Sequence, residues 1–190
     1  MRVRQLTFRG VLACTVLVAT ASVAYGQRGE TFTATATVKT AGGASATAPV
    51  TINVDRAMPQ SEADGLVAAF KSGGISGLRK ALKGVAPTGS VTLGSGKPTP
   101  TRITIERTTD KGRLLTIVSD TPILFLGAGV PEAKSKAGYD FAVVDIEVDE
   151  KGSGAGTLAP AAKIVLKDGA FVVSDFASEL VKLTAVSKTK

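Results

Sequence analysis

The residues best spaced for chemistry are Asp145, Glu147 and Asp149, at period two in FAVVDIEVDE, with Glu150 beside them. Carboxylates at that spacing share one face of a strand, where hard oxygen ligands could gather a divalent cation such as calcium. The run is linear, however, and lacks the glycine-turned loop that wraps ligands around an ion. It reads instead as a solvated strand face paired across the sheet to Lys163 and Lys167, each exposed pair adding roughly 0 to 1 kcal/mol. No metal site is assigned.

Other chemistry is limited by what the chain lacks. It has no His, which removes the commonest general base and neutral metal ligand. Its single Cys, Cys14, lies in an apolar run near the N-terminus and reads as filler within a leader. Serine catalysis would then need a lysine base, and Ser72, Ser76 and Ser135 do lie near lysines. Neither a nucleophile elbow nor a pocket follows from their spacing. The GAG at 127–129 precedes Pro131 and a polar stretch rather than the helix a phosphate loop needs. No catalytic residue and no cofactor are assigned, and the chain is read as non-enzymatic.

The basic residues are the better candidates for contact with a partner. Arg102, Arg107, Lys111 and Arg113 gather around one predicted hairpin, and Arg79 and Lys83 lie on a predicted helix. An acidic surface polymer would suit them. Lysines and arginines at such places also keep a sheet edge from pairing with other chains. Nucleic acid is not expected, because a basic patch for it would carry interleaved stacking aromatics, and here Tyr139 and six phenylalanines are scattered beyond the leader.

The first 26 residues hold Arg2, Arg4 and Arg9, then an uncharged apolar run from Val11, then small residues. That order is a secretory signal peptide, with cleavage after Ala24 or after Gly26. The run is shorter than the roughly 20 residues a membrane-spanning helix needs, so no span is expected after cleavage. Losing the three arginines lowers the formal charge from +7 to +4. An exported protein, periplasmic or extracellular, with one domain over 27–190 is expected.

The elements that must position these residues are mostly strands. Residues 31–37 alternate Thr31, Thr33, Thr35 and Thr37 against Phe32, Ala34, Ala36 and Val38. Residues 40–48 read as a loose loop, and 49–55 as a second strand with Pro49 at its start. Between Pro59 and Pro87 the period becomes helical. Ser61 with Asp64 is an N-cap pattern, Ala63, Leu66, Val67 and Phe70 share a face, and Gly73 with Gly74 ends that helix. Ile75, Leu78, Leu82 and Val85 repeat the spacing, giving a helical hairpin over about 61–84 that must lean on the sheet.

The chain is organised around 101–127, where Ile103 and Ile105 are followed by a five-residue connection containing Asp110, Lys111 and Gly112, then Leu115 and Ile117. The apolar run 122–126 predicts a segment covered on both faces. A strand at 141–149 is followed by the glycine-rich KGSGAG, read as a break. Strands resume at 162–166, turn at Asp168 and Gly169, and close at 180–186. The fold class is mainly β (α+β): eight or nine strands in an antiparallel β-sandwich or barrel with an inserted helical hairpin.

In TPILFLGAGVP, following IERTTDKGRLLTIVSD and the helical insertion, the chain resembles a set of uncharacterised exported bacterial β-rich proteins. The resemblance covers most of the domain after the leader. It implies a single exported domain and transfers no activity. Function is expected to be that of a binding or structural module of the cell envelope, meeting an envelope protein or surface polymer. The alternative is a carrier of a small apolar ligand in a β-barrel with the helices as a lid.

Overall fold

A computed structural model describes residues 29–39, 45–123, 138–167, 170–176 and 180–189. The expected leader, residues 124–126 of the apolar run, the GAG, Ser135 and the turn at Asp168 and Gly169 lie outside the described residues, as do 40–44 of the predicted loop.

Alternation of β-branched and apolar residues produces the first ladder. β1 (Glu30–Lys39) pairs with β2 (Ser45–Val54) in unbroken antiparallel register from Glu30 opposite Val54 to Lys39 opposite Ser45. The second strand therefore starts earlier than its sequence suggested, and Pro49 lies inside it. Pro49 is tolerated there because β3 (Gly89–Leu93) stops pairing at Val50, so the ring nitrogen displaces no ladder donor, while the Pro49 carbonyl accepts from Gly94 N at 2.7 Å.

The remaining elements are α1 (Gln60–Leu82), β4 (Thr99–Thr101), β5 (Ile103–Thr109), β6 (Gly112–Ser119), β7 (Phe141–Val148), β8 (Ser153–Lys167), β9 (Ala170–Phe176) and β10 (Val181–Lys188). Among the described residues, all ten strands belong to one antiparallel sheet, in the order β4-β3-β2-β1-β10-β8-β7-β6-β5, with β9 attached to β8 off that path. Its two ends, β4 and β5, are separated in sequence by Arg102 alone, whose N–H donates to Val118 O at 2.8 Å. One bent segment thus pairs with β3 and then with β6, and the sheet is nearly closed as a barrel. The expected mainly β fold with a helical insertion is what the chain adopts.

The strands differ from the predicted ones in two further places. The β5–β6 turn is tighter than five residues: Thr109 pairs with Gly112, leaving only Asp110 and Lys111 between. KGSGAG does not break the sheet, because Ser153 already opens the 15-residue β8 and only 149–152 form the turn. Gly154 and Gly156 are strand residues. A Cβ on them would sit 1.8 Å from Glu147 O and 2.2 Å from Asp145 O, so their lack of a side chain permits close passage of β7.

The barrel interior is filled by side chains from β1, β2, β3, β6, β7, β8 and β10, including Phe32, Ile52, Leu115, Ile117, Ile146, Leu158 and Leu183, none more than 1% exposed. At one end Arg113 lies 5.8 Å over the Phe32 ring and pairs with Glu30 at 2.9 Å and Glu106 at 3.4 Å, while Lys188 also bonds Glu30. Burial raises the Glu30 pKa, but hydrogen bonds and charge from Arg113 and Lys188 outweigh it and hold the carboxyl below its ordinary range. At the seam, Thr104 Oγ1 donates to Thr88 Oγ1 at 2.9 Å, and Thr88 and Thr101 share a hydrogen bond at 3.2 Å. Ser119 Oγ donates to Pro100 O at 2.9 Å. These buried hydroxyls are satisfied by one another and by the Pro100 carbonyl, which is what permits polar side chains at the join.

α1 is two helical pieces meeting at Gly74, whose φ of 58° and ψ of −147° are open to glycine and strained for other residues. Gly77 reaches back to the first piece: a Cβ there would lie 2.3 Å from Ala69 O. In a straight helix eight residues span about 12 Å, so this contact requires the fold-back the glycine pair predicts. The N-cap is Pro59, whose carbonyl accepts from Glu62 N and Ala63 N at 3.0 and 3.1 Å. Ser61 lies within the first turn instead, and Arg56 fixes Glu62 at 3.0 and 3.3 Å.

Candidate functional site

The outer face of β5 to β8 changes character row by row. Ile103, Val118, Val143 and Ala159 are ladder neighbours and form a dry row, all buried. Two residues along each strand, the next row is Ile105, Thr116, Asp145 and Thr157. The third row is Arg107, Leu114, Glu147 and Ala155. Period two places all three rows outside, because Leu115, Ile117, Val144 and Ile146 take the alternate positions and point inward.

α1 packs on the dry row. Leu78 and Leu82, in its second piece, are fully buried and Leu66 in the first is 2% exposed, clustered with Phe141, Ala162 and Ile164. Val67 and Ala63 are only half-buried. β9 supplies the facing wall, tied to the helix by Phe171 edge-on to Phe70, with centroids 5.8 Å apart at 71°. Tyr139 donates its hydroxyl to Asp175, tying β9 to the segment before β7.

Between these parts lies a groove of about 610 Å³. Its floor is the outer sheet, including Val118, Val143 and Asp145; its walls are Met58, Ala63 and Val67 on one side and Phe171, Val172 and Val173 on the other. Val172 and Val173, both 36% exposed, are successive residues of β9, and Val173 shares the face of Phe171. The apolar lining comes from α1 with the segment before it and from β5, β6, β7, β8 and β9.

The acidic row is not a chelating set. Asp145 Oδ1 accepts from Thr116 Oγ1 at 2.6 Å, Glu147 pairs with Lys111 at 3.8 Å, and Asp149 turns away to accept N–H bonds from Lys151 and Ser153 at 2.8 and 2.9 Å. The expected pairing to Lys163 and Lys167 does not occur, because that half of β8 is laddered to β9, with Lys163 opposite Asp175 and Lys167 opposite Ala170. The acids face Thr157 and Ala155 across β8 instead.

The six basic candidates are dispersed. Arg102 lies at the barrel seam, where Nη1 donates to Val85 O at 2.9 Å and Nε is 3.6 Å from Asp120, within ion-pair reach but beyond a hydrogen bond. Arg113 points inward as the barrel plug. Arg79 faces Asp140 at 3.5 Å, and Lys111 faces Glu147. Arg107 is at the groove rim and Lys83 follows α1, both exposed. Only Arg107 borders the groove. The groove's own signal in the sequence was the apolar outer positions Phe141 and Val143, which continue the row that ends in Asp145 and mark a face covered at one end.

No family model, curated protein or solved structure matches this chain. Among the described residues, no helix is long and apolar enough to cross a membrane.

Proposed function

We propose that the protein is an exported, non-enzymatic binding domain of the cell envelope, carrying a small apolar molecule in the groove between α1 and the outer sheet. The observation that carries this is the groove itself. About 610 Å³ of space, walled mainly by apolar side chains, falls within the roughly 300–1,000 Å³ range of small-molecule sites. The helical hairpin acts as the cover. Its place against the sheet fits the lid of the carrier reading, with the ligand outside the barrel wall rather than in the side-chain-filled interior. Export rests on the leader-like character of residues 1–26.

The test is to fill the groove. Native mass spectrometry and titration with an environment-sensitive apolar fluorophore are expected to show one bound molecule per chain, lost in Ala63→Trp while the melting temperature holds. A fluorophore bound as tightly by the filled variant would refute the site. A protein partner is the second reading, favoured by Phe176 at the end of β9 and Leu180 just before β10, large apolar side chains that are 42% and 41% exposed. Co-purification of an envelope protein that survives Ala63→Trp and is lost in Phe176→Ser with Leu180→Ser would support it over the carrier.

A further inference from the structure

We infer that the groove selects an amphiphile with a cationic head, an alkylammonium group seated against Asp145 while its tail lies over Val118 and Val143 beneath α1. This rests on the groove reading above and adds the class of ligand. Among the described residues, the charged ones of the lining are three carboxylates, Asp64, Glu106 and Asp145, against the guanidinium of Arg107.

Two of the carboxylates are already answered. Glu106 is paired with Arg113, and Asp64 is exposed to water and accepts from Gln60 at 2.8 Å. Glu147, one row further out, is held by Lys111. Asp145 differs from all three. It is half-buried on the floor, and among the described residues its partner is the neutral Thr116 hydroxyl. Its ladder neighbours Thr116 and Thr157 carry no charge.

A tail filling the groove would strip water from that carboxylate, and a charge so buried is costly unless a cation meets it. An ammonium head supplies the cation and the donors together. A carboxylate head would set like charges side by side, and an alcohol would leave the charge unanswered. Arg107 offers no equal attraction for an anion, because it stands exposed at the rim, where an ion pair is worth at most about 1 kcal/mol.

Calorimetric titration of the purified protein with dodecylamine, dodecanol and dodecanoate, each below its micelle concentration, tests the inference. Dodecylamine is expected to bind about tenfold or more tightly than dodecanol, with dodecanoate weakest. Asp145→Asn should erase the preference, weakening the amine and tightening the alcohol, which no longer leaves a charge unanswered, whereas Asp64→Asn should preserve the preference. Equal binding of all three, or tightest binding of dodecanoate, would overturn the cationic head while leaving the groove as a site. Binding of none would overturn the groove reading and this one with it. Should Asp145→Asn fail to fold, the ligand series on the parent chain decides alone.

Discussion

On β6 the inward side chains Leu115 and Ile117 are each 1% exposed, whereas Leu114 and Thr116, one residue away on the other face, border open space. The same strand thus serves a finished core and an unfinished one. Inside, ladders on both sides of each wall fix its distance from the facing strands, and the volume left is taken up by Val, Ile, Leu and Phe. Outside, filling depends on a helix that bends at Gly74. Its second piece seats Leu78 and Leu82 fully, and its first seats Leu66 while Ala63 and Val67 stop short of the floor. Close packing is concentrated on the inner face and the open groove on the outer.

The strongest way to break this contrast is Phe32→Ala. Removing a fully buried ring that also lies under Arg113 should cost about 3–5 kcal/mol in urea unfolding. A loss below about 1 kcal/mol would mean that the interior tolerates voids as the groove does. A smaller effect tests the cover: Gly74→Ala forces a Cβ into a backbone conformation nearly reserved for glycine and should cost about 1–3 kcal/mol. Gly73→Ala, with open space around its Cβ position, should be neutral or stabilise by up to about 1 kcal/mol. Equal effects at the two positions would remove the bend from the account.

The smallest destabilisation concerns the plug of the inner core. Glu30→Gln should cost about 1–2 kcal/mol at neutral pH, because Arg113 and Lys188 lose a charged acceptor. The Glu30 carboxyl titrates below an ordinary glutamate's 4.5. Its stabilisation is therefore complete above that value and is lost as pH falls through the lowered one. Melting temperature against pH should drop less steeply on the acid side in Glu30→Gln than in the parent. Parallel acid limbs would show that the pair contributes no pH dependence.

The local pattern made much of the fold legible. Phe32, Ala34, Ala36 and Val38 announce an inward face, and Gly73 with Gly74 announce the bend. Gly154 and Gly156 misled because glycine weakens an isolated strand, and only the approach of β7 explains their use inside one. The basic cluster dissolved for a similar reason: Arg113 finds Glu30 at a separation of 83 residues, and neighbours in sequence do not reveal it. The groove needed α1, β9 and the outer rows together. Of its parts, Asp145 was noticed as a member of an acidic row, whereas on β7 it is also the residue at which the apolar outer positions Phe141 and Val143 end.

The β1–β10 ladder has a mechanical consequence. Phe32 lies opposite Lys188, and Thr189 N–H reaches Thr31 O at 2.8 Å, so the start of β1 and the end of β10 lie at the same end of one antiparallel pair. A load pulling these two points apart does not shear the ladder as a unit. It opens the hydrogen bonds in succession from that end, like a zip, and the barrel meets tension along its weakest direction.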